Sequence, residues 1–342
     1  MVDPETPLRL GSVLVPGRLF LAPMAAYTSW PFRRICRRFG AALVTTEVVK
    51  AREVIRGIEA TRGLLRFRDD EHPIAAQILS ADPGEAAEAT RILLQMGFDL
   101  VDLNCGCPKR RIVSDGLGGG LMASPERIGE IVAAMARVAE GRVTVKLRAG
   151  LDRGNVTAIE AARRAEDAGA VAICIHPRFA RGASSLQPDW SLIAAVRSAV
   201  RVPTVGNGGI RRPEDAVRLF EMTGCDAIAL GQAAIGRPWI FRDIATLIHS
   251  GRQPTAPTHE EILSLLLEHY DGLTDHHGEL RGTVMMRKQS CHYAKRLRNG
   301  RDFNRAVARA RSRAEFLEAA NRWLGAAASP APTGQFEQHP EG

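Results

Sequence analysis

Eight short apolar runs punctuate the first 245 residues, and longer segments with apolar residues at helical spacing lie between many of them. The runs are Leu19 to Ala22, Ala42 to Thr46, Ile74 to Leu79, Leu100 to Leu103, Val143 to Leu147, Val171 to Ile175, Thr204 to Gly206 and Ala227 to Leu230. Helical segments include Gly84 to Leu94, Pro125 to Val138, Val156 to Ala168 and Arg212 to Met222. Continuous apolar strands separated by helices predict parallel pairing with both faces covered. Eight such units in about 245 residues is the count of an α/β TIM (β/α)8 barrel. An open doubly wound sheet is the competing arrangement, and no GxGxxG follows the first run to support it.

After Ile248 the strand pattern stops, and Glu260 to Leu324 reads as helices only. The expected organisation is a barrel over residues 1–245, a small helical domain over 246–325 and a disordered tail over 326–342, where Ala, Pro, Ser and Gly dominate. A length of 342 residues suits one large barrel with an appendage, and 45% hydrophobic against 25% charged residues excludes a disordered or fibrous chain. No run of 18 apolar residues is present and the first ten residues are not those of a signal peptide, so the expectation is a cytoplasmic protein with no membrane partner. Six cysteines without a CxxC pair argue against a disulfide framework and against zinc, and no metal site is expected.

In a barrel the C-terminal strand ends converge on one mouth. Those ends carry Met24, Glu47, Gln77, Asn104, Lys146 with Arg148, His176, Asn207 and Gly231. Taken singly, each has a bland structural explanation; eight together mark a site. Asn207-Gly208-Gly209 and Gly231 close the seventh and eighth runs, where bare backbone N–H groups can hold a phosphate. Lys146 closes an apolar strand, and burying a lysine is costly unless it meets an anion. The segment Asn104-Cys105-Gly106-Cys107-Pro108, followed by Gly116-Leu117-Gly118-Gly119-Gly120, puts a thiol on a tight loop at the mouth, where it can serve as a general acid.

These residues, with Leu21-Ala22-Pro23-Met24-Ala25, Thr46-Glu47, Lys146-Leu147-Arg148-Ala149-Gly150, Ile175-His176-Pro177-Arg178 and Gly236-Arg237-Pro238-Trp239-Ile240-Phe241, resemble the ordered signature of the tRNA-dihydrouridine synthases. The resemblance runs from about residue 19 to 245 and more loosely beyond. It implies an FMN-binding barrel with a helical RNA-binding domain, NADPH as reductant and a uridine of tRNA as substrate. Carried over by position, Cys107 would protonate carbon 5. Pro23, Met24 and Ala25 would line the flavin, and Gln77 and Lys146 would bond its ring. His176 would lie beside the ring, and Asn207, Gly208, Gly209, Gly231 and Gln232 would cradle the phosphate. Asn104, Arg148 and Arg178 would face the substrate. Gly209 stands where the family usually has Asp, Gln232 where it usually has Arg, and Cys105 where an apolar residue is frequent.

The formal charge of +8 is concentrated. Between Arg281 and Arg313 eleven Lys and Arg face only Asp302, a net +10 in 33 residues, and the remainder is close to neutral. Arg301, Arg305, Arg309 and Arg313 recur at helical spacing opposite Phe303, Val307 and Ala310, which predicts one continuous arginine stripe. Arg287, Lys288, Lys295, Arg298, Arg301, Arg305 and Arg309 are the expected RNA-phosphate contacts, with His292 and Tyr293 as stacking candidates. Two other readings stay open: a small-molecule FMN oxidoreductase of the dihydroorotate or enoate type, and an RNA-binding barrel without catalysis.

Overall fold

The computed structural model describes residues 2–182, 188–296 and 300–324. Eight parallel strands close into a ring: Leu19–Leu21, Leu43–Thr45, Ile74–Leu79, Leu100–Cys105, Val143–Asp152, Ala172–Phe179, Thr204–Asn207 and Ala227–Leu230, which pairs back onto Leu19–Leu21. This is the expected TIM barrel, with each strand at its expected place.

The strands alternate in a way that decides the site. Val101, Leu103, Val143, Val145, Leu147, Ile173, Ile175 and Ile228 point outward into the layer shared with the surrounding helices. Phe20, Leu43, Ala75, Leu100, Ala172, Val205 and Ala229 fill the interior. Because side chains alternate with a period of two, the interior register also takes Gln77, Asp102, Asn104, Thr144, Lys146, Arg148, His176 and Asn207. An antiparallel hairpin, Leu8–Leu10 with Val13–Val15, adds Leu8, Leu10 and Val15 to the interior cluster. It packs at the end opposite the mouth, and the sequence pattern does not announce it.

The helices start where local chemistry caps them. Asp82 accepts the N–H of Glu85 at 2.8 Å ahead of Pro83–Gln95, and Ser124 does the same for Arg127 ahead of Pro125–Ala139.

Contacts divide the chain into two compact units, Met1–Ala234 with Pro238–Pro254, and Ile235–Arg237 with Thr255 onward. The helix Ile240–Ser250 belongs to the barrel unit. The second unit contains helices His259–His277, Glu279–Ala294, Gly300–Val307 and Arg313–Leu324 around Leu266, Tyr270, Leu273, Met286, Tyr293, Phe303, Val307 and Phe316. Tyr270 bonds Thr283 at 2.6 Å and its ring lies 4.6 Å from that of Phe316. Among the described residues no helix is long and apolar enough to cross a membrane. The tail expected over 326–342 lies outside the described residues.

Two expectations for the second unit are corrected. The arginine stripe is not one helix: Gly300–Val307 ends, a turn follows, and a new helix begins at Arg313. Ser312 caps that helix through the N–H of Glu315 at 3.3 Å, and the Glu315 carboxylate accepts the N–H of Arg311 at 2.8 Å. This cap starts a helix where the arginine spacing continued one. Arg313 donates from its guanidinium to both oxygens of Asp271, at 2.7 and 2.9 Å. Tyr293 is fully buried and its hydroxyl lies 3.3 Å from Nδ1 of His269, so it is core and cannot stack on a base.

Candidate active site

The site begins with Asn104, the penultimate residue of the fourth barrel strand, facing inward. Its Oδ1 accepts the N–H groups of Gly106 at 3.0 Å and Cys107 at 2.8 Å, folding the chain after the strand into a tight turn. The Cys107 thiol is half-buried and unoxidised. The Gly-rich segment, Gly118–Ala123, packs beneath it, and Gly119 donates its N–H to the Cys107 carbonyl at 3.0 Å. A Cβ on Gly119 would sit 2.5 Å from Cβ of Ala180, and one on Gly118 would sit 2.9 Å from Cβ of Cys107. The triple glycine thus lets two backbones meet behind the thiol. Cys105 points outward and is fully buried, and burial pushes its thiol well up. It is a core residue.

Arg148 closes the other side of the turn, with Nε donating to the Gly106 carbonyl at 2.8 Å. Burial first, and then the neighbouring Arg178 guanidinium, bring Arg148 down to about 10. The Arg178 guanidinium is close enough to repel that of Arg148, and its buried Nε has no hydrogen-bond partner among the described residues. His176 is driven to about 2 by burial, with Lys146, Arg148 and Arg178 adding to the shift, so its imidazole is neutral at any working pH.

Lys146 donates to Oδ1 of Asn207 at 2.8 Å, and Asn207 in turn donates to the Ala229 carbonyl at 2.7 Å. Among the described residues no carboxylate comes within ion-pair distance of Lys146. Burial lowers its proton affinity, as expected for a cation held mainly by an amide. Gly208, at φ 101°, follows directly; a Cβ there would overlap the His176 ring at 2.5 Å. Only a glycine permits the seventh strand end to lie against that imidazole. Gly209 lies under Pro188 and Trp190, whose indole donates to the Gly208 carbonyl at 3.1 Å. Gly231 faces the Met24 sulfur, its Cβ position 3.5 Å away. Gln232 and Ala25 are exposed, and Pro23 is half-buried at the rim.

Below the rim, a cavity of about 40 Å³ is bounded by Ala22, Pro23, Asp102, Thr144, Lys146 and Cys174, among others. Asp102 and Thr144 are absent from the residues expected on sequence grounds, although an aspartate inside the run Leu-Val-Asp-Leu-Asn is signal enough. Burial raises Asp102, opposed by its bonds from Gln77 and Thr144 and by Lys146. On the first strand's side, the Glu47 carboxylate accepts the N–H of Ala26, and Met24 donates its N–H to Thr28 Oγ1 at 3.1 Å. Arg33, fully buried, braces that loop by donating to the Thr28 carbonyl at 2.7 Å and to Glu71 at 2.6 Å.

Gln77, Asn104, Cys107, Lys146, Arg148, His176, Asn207, Gly208, Met24 and Gly231 therefore meet around one mouth. The basic residues expected to contact RNA lie on the second unit. Lys288, Lys295, Arg301, Arg305 and Arg309 are exposed there. Arg287 is half-buried and spends its guanidinium on the Ala310 carbonyl, with Nε at 2.8 Å. Arg298 lies outside the described residues.

A closed parallel barrel with its polar groups and a thiol gathered at the C-terminal strand ends defines an enzyme of the TIM-barrel class. Comparison with known proteins narrows the class. The dihydrouridine synthase family model matches residues 20–328, and the chain belongs to that family. It is 36% identical over 296 residues to tRNA-dihydrouridine synthase B of Pseudomonas aeruginosa, covering 86% of this chain and 89% of that one. It is 34% identical over 319 residues to a probable tRNA-dihydrouridine synthase of Mycobacterium tuberculosis, covering 90% and 82%. Among solved structures, morphinone reductase shares the fold at a TM-score of 0.53 and 17% identity, over 76% of this chain and 93% of that one.

Proposed function

We propose that the protein reduces the carbon 5 to carbon 6 double bond of a uridine in tRNA, using FMN and NADPH, with Cys107 as general acid. The observation that carries the proposal is the Cys107 turn: a half-buried thiol held by Asn104 at the mouth, beside Arg148 and a lysine bonded to an amide rather than a carboxylate.

The residues fit an anionic ring cofactor. Ala22, Pro23 and Met24 offer an apolar edge. Lys146 gives one proton to Asn207 and keeps two for a ring carbonyl or ring nitrogen. The neutral His176 imidazole adds a hydrogen-bonding edge without adding charge. Backbone N–H groups of Asn207, Gly208, Gly209, Gly231 and Gln232 form the phosphate cradle. With Asp and Arg absent at 209 and 232, that grip is mainly backbone.

Reduced flavin, when bound, supplies hydride to carbon 6. The chain's part is to hold the uracil over that ring and to deliver a proton to carbon 5. Without the proton, negative charge would accumulate on the pyrimidine, and a positioned donor lowers that barrier. Arg148 and Arg178, two adjacent guanidiniums, meet the base or its phosphate. A uridine in folded tRNA must be turned out of its stack to reach a barrel mouth. The exposed basic residues of the helical unit supply the phosphate grip for this.

The test is to purify the full chain, record its flavin absorbance, and mix it with NADPH and unmodified tRNA. The expected result is a flavin band, NADPH consumption and dihydrouridine in the tRNA. Flavin reoxidised by free enones but not by tRNA would favour the small-molecule reading, and absence of flavin would favour a binding barrel.

A further inference from the structure

We infer that Asp102 is a positioning residue that sets the orientation of the Cys107 turn through two intervening amides. The inference rests on the proposed role of Cys107 for its meaning, though not for its test.

Asp102 faces inward on the fourth strand and is 6% exposed. Its Oδ1 accepts the Thr144 hydroxyl at 2.7 Å, and its Oδ2 accepts Nε2 of Gln77 at 2.7 Å. A carboxylate only accepts, so the Gln77 amide has one allowed orientation, with its NH2 toward Asp102 and its oxygen toward Asn104. Asn104 donates from Nδ2 to that oxygen at 2.7 Å. Its own oxygen must then face the other way, where it accepts the N–H groups of Gly106 and Cys107.

Every N–H in this chain of bonds points toward the carboxylate: Cys107 to Asn104, Asn104 to Gln77, Gln77 to Asp102. Bonds aligned in one direction polarise one another, and the charged acceptor at the end anchors the set. Without an acceptor at position 102 the Gln77 NH2 is buried and unpaired, and the amide is held only by the Asn104 bond to its oxygen. Asn104 then donates to an amide no longer polarised by a carboxylate, and its grip on the Gly106 and Cys107 N–H groups weakens. Gln77 and Asn104 are both buried, so no bulk water repairs the mismatch. This gives a reason for keeping a carboxylate inside the barrel, where burial disfavours it.

Two substitutions separate hydrogen bonding from volume and charge. Asp102→Leu keeps the shape and removes the acceptor. Asp102→Asn keeps an oxygen for Gln77 and turns its NH2 to Thr144, whose hydroxyl can accept. The readout is the rate of iodoacetamide alkylation of Cys107 in the full chain, followed by peptide mass spectrometry with the exposed Cys291 as internal reference. The expected result is a rise of about tenfold for Cys107 in Asp102→Leu, the scale of one broken hydrogen bond, and a change of no more than about twofold in Asp102→Asn. In the enzymatic assay kcat for tRNA should fall about tenfold in Asp102→Leu with KM for tRNA within about twofold.

Unchanged alkylation of Cys107 in Asp102→Leu would overturn the inference, as would an Asp102→Asn protein as perturbed as the leucine variant. If Asp102→Leu does not fold, Gln77→Leu cuts the same chain one link later and must show the same rise; a parental rate there also overturns it. Should the parent protein form no dihydrouridine, the functional proposal fails, while the alkylation rates still decide the role of Asp102.

Discussion

The side-chain oxygen of Asn104 accepts the backbone N–H of Cys107 at 2.8 Å, so the proposed acid is placed by a strand residue three positions before it. A loop thiol would otherwise wander by more than the small displacement that proton transfer tolerates. Replacement Asn104→Ala removes this bond and the one to Gly106. It should lower the rate of dihydrouridine formation about tenfold or more while leaving NADPH oxidation by dioxygen within about twofold. Steady-state rates with and without tRNA check it, and equal loss of both activities would show that Asn104 serves the cofactor instead.

Gly119 is the tightest point behind that turn. Its Cβ position lies 2.5 Å from Cβ of Ala180 and 2.9 Å from the Cys107 carbonyl oxygen. Gly119→Ala should cost about 1 to 3 kcal/mol, the usual penalty of overpacking. The urea midpoint measures it: a value equal to the parent's would mean the segment relaxes freely.

The helical unit and the barrel mouth should separate in function. Reversing the charge of exposed Arg301, Arg305 and Arg309 should weaken tRNA binding and flatten its dependence on log salt by about 0.7 to 1 for each phosphate that is no longer neutralised. NADPH oxidation by dioxygen should stay at the parental rate. Filter binding over a salt series is the measurement, and an unaltered slope would remove these residues from the interface.

Two histidines are held neutral, His176 at about 2 and His269 at about 3, in both cases chiefly by burial. The unfolded chain protonates them near 6.5 and the folded chain does not, so the unfolded state binds more protons below that pH. Stability should therefore fall as pH drops from about 6.5, with a limiting slope of about 1.4 kcal/mol per pH unit for each group. Thermal midpoints between pH 7 and pH 5 should decline, and His269→Gln should make the decline shallower. A parallel decline in the variant would show that His269 is protonated in the folded state.

The sequence displays the barrel because eight parallel strands need apolar faces on both sides, and that leaves eight visible runs. Polar residues that interrupt or end such runs stand out, as Gln77, Asn104, Lys146 and His176 do. Asp102 interrupts a run just as plainly, but its importance comes from Gln77, 25 residues earlier, and from Thr144, 42 residues later. Contacts of that kind, including Arg148 to Gly106, have no local signature. The stripe from Arg301 to Arg313 fails for a local reason. Spacing of four satisfies a helix, while Ser312 and Glu315 write a helix start into the same residues, and the cap prevails. The sequence likewise offers Tyr293 as a stacking ring because it lies among charges, whereas a fully buried partner of His269 has only its helix face to reveal it.

The most direct measurement is anaerobic and split into halves. The parent protein and Cys107→Ala are each reduced with one equivalent of NADPH, then mixed with unmodified tRNA while flavin absorbance is followed. Cys107 as general acid predicts equal rates of flavin bleaching and a return of colour slowed about a hundredfold or more in the variant. Colour returning at the parental rate, with dihydrouridine formed in equal yield, would contradict it.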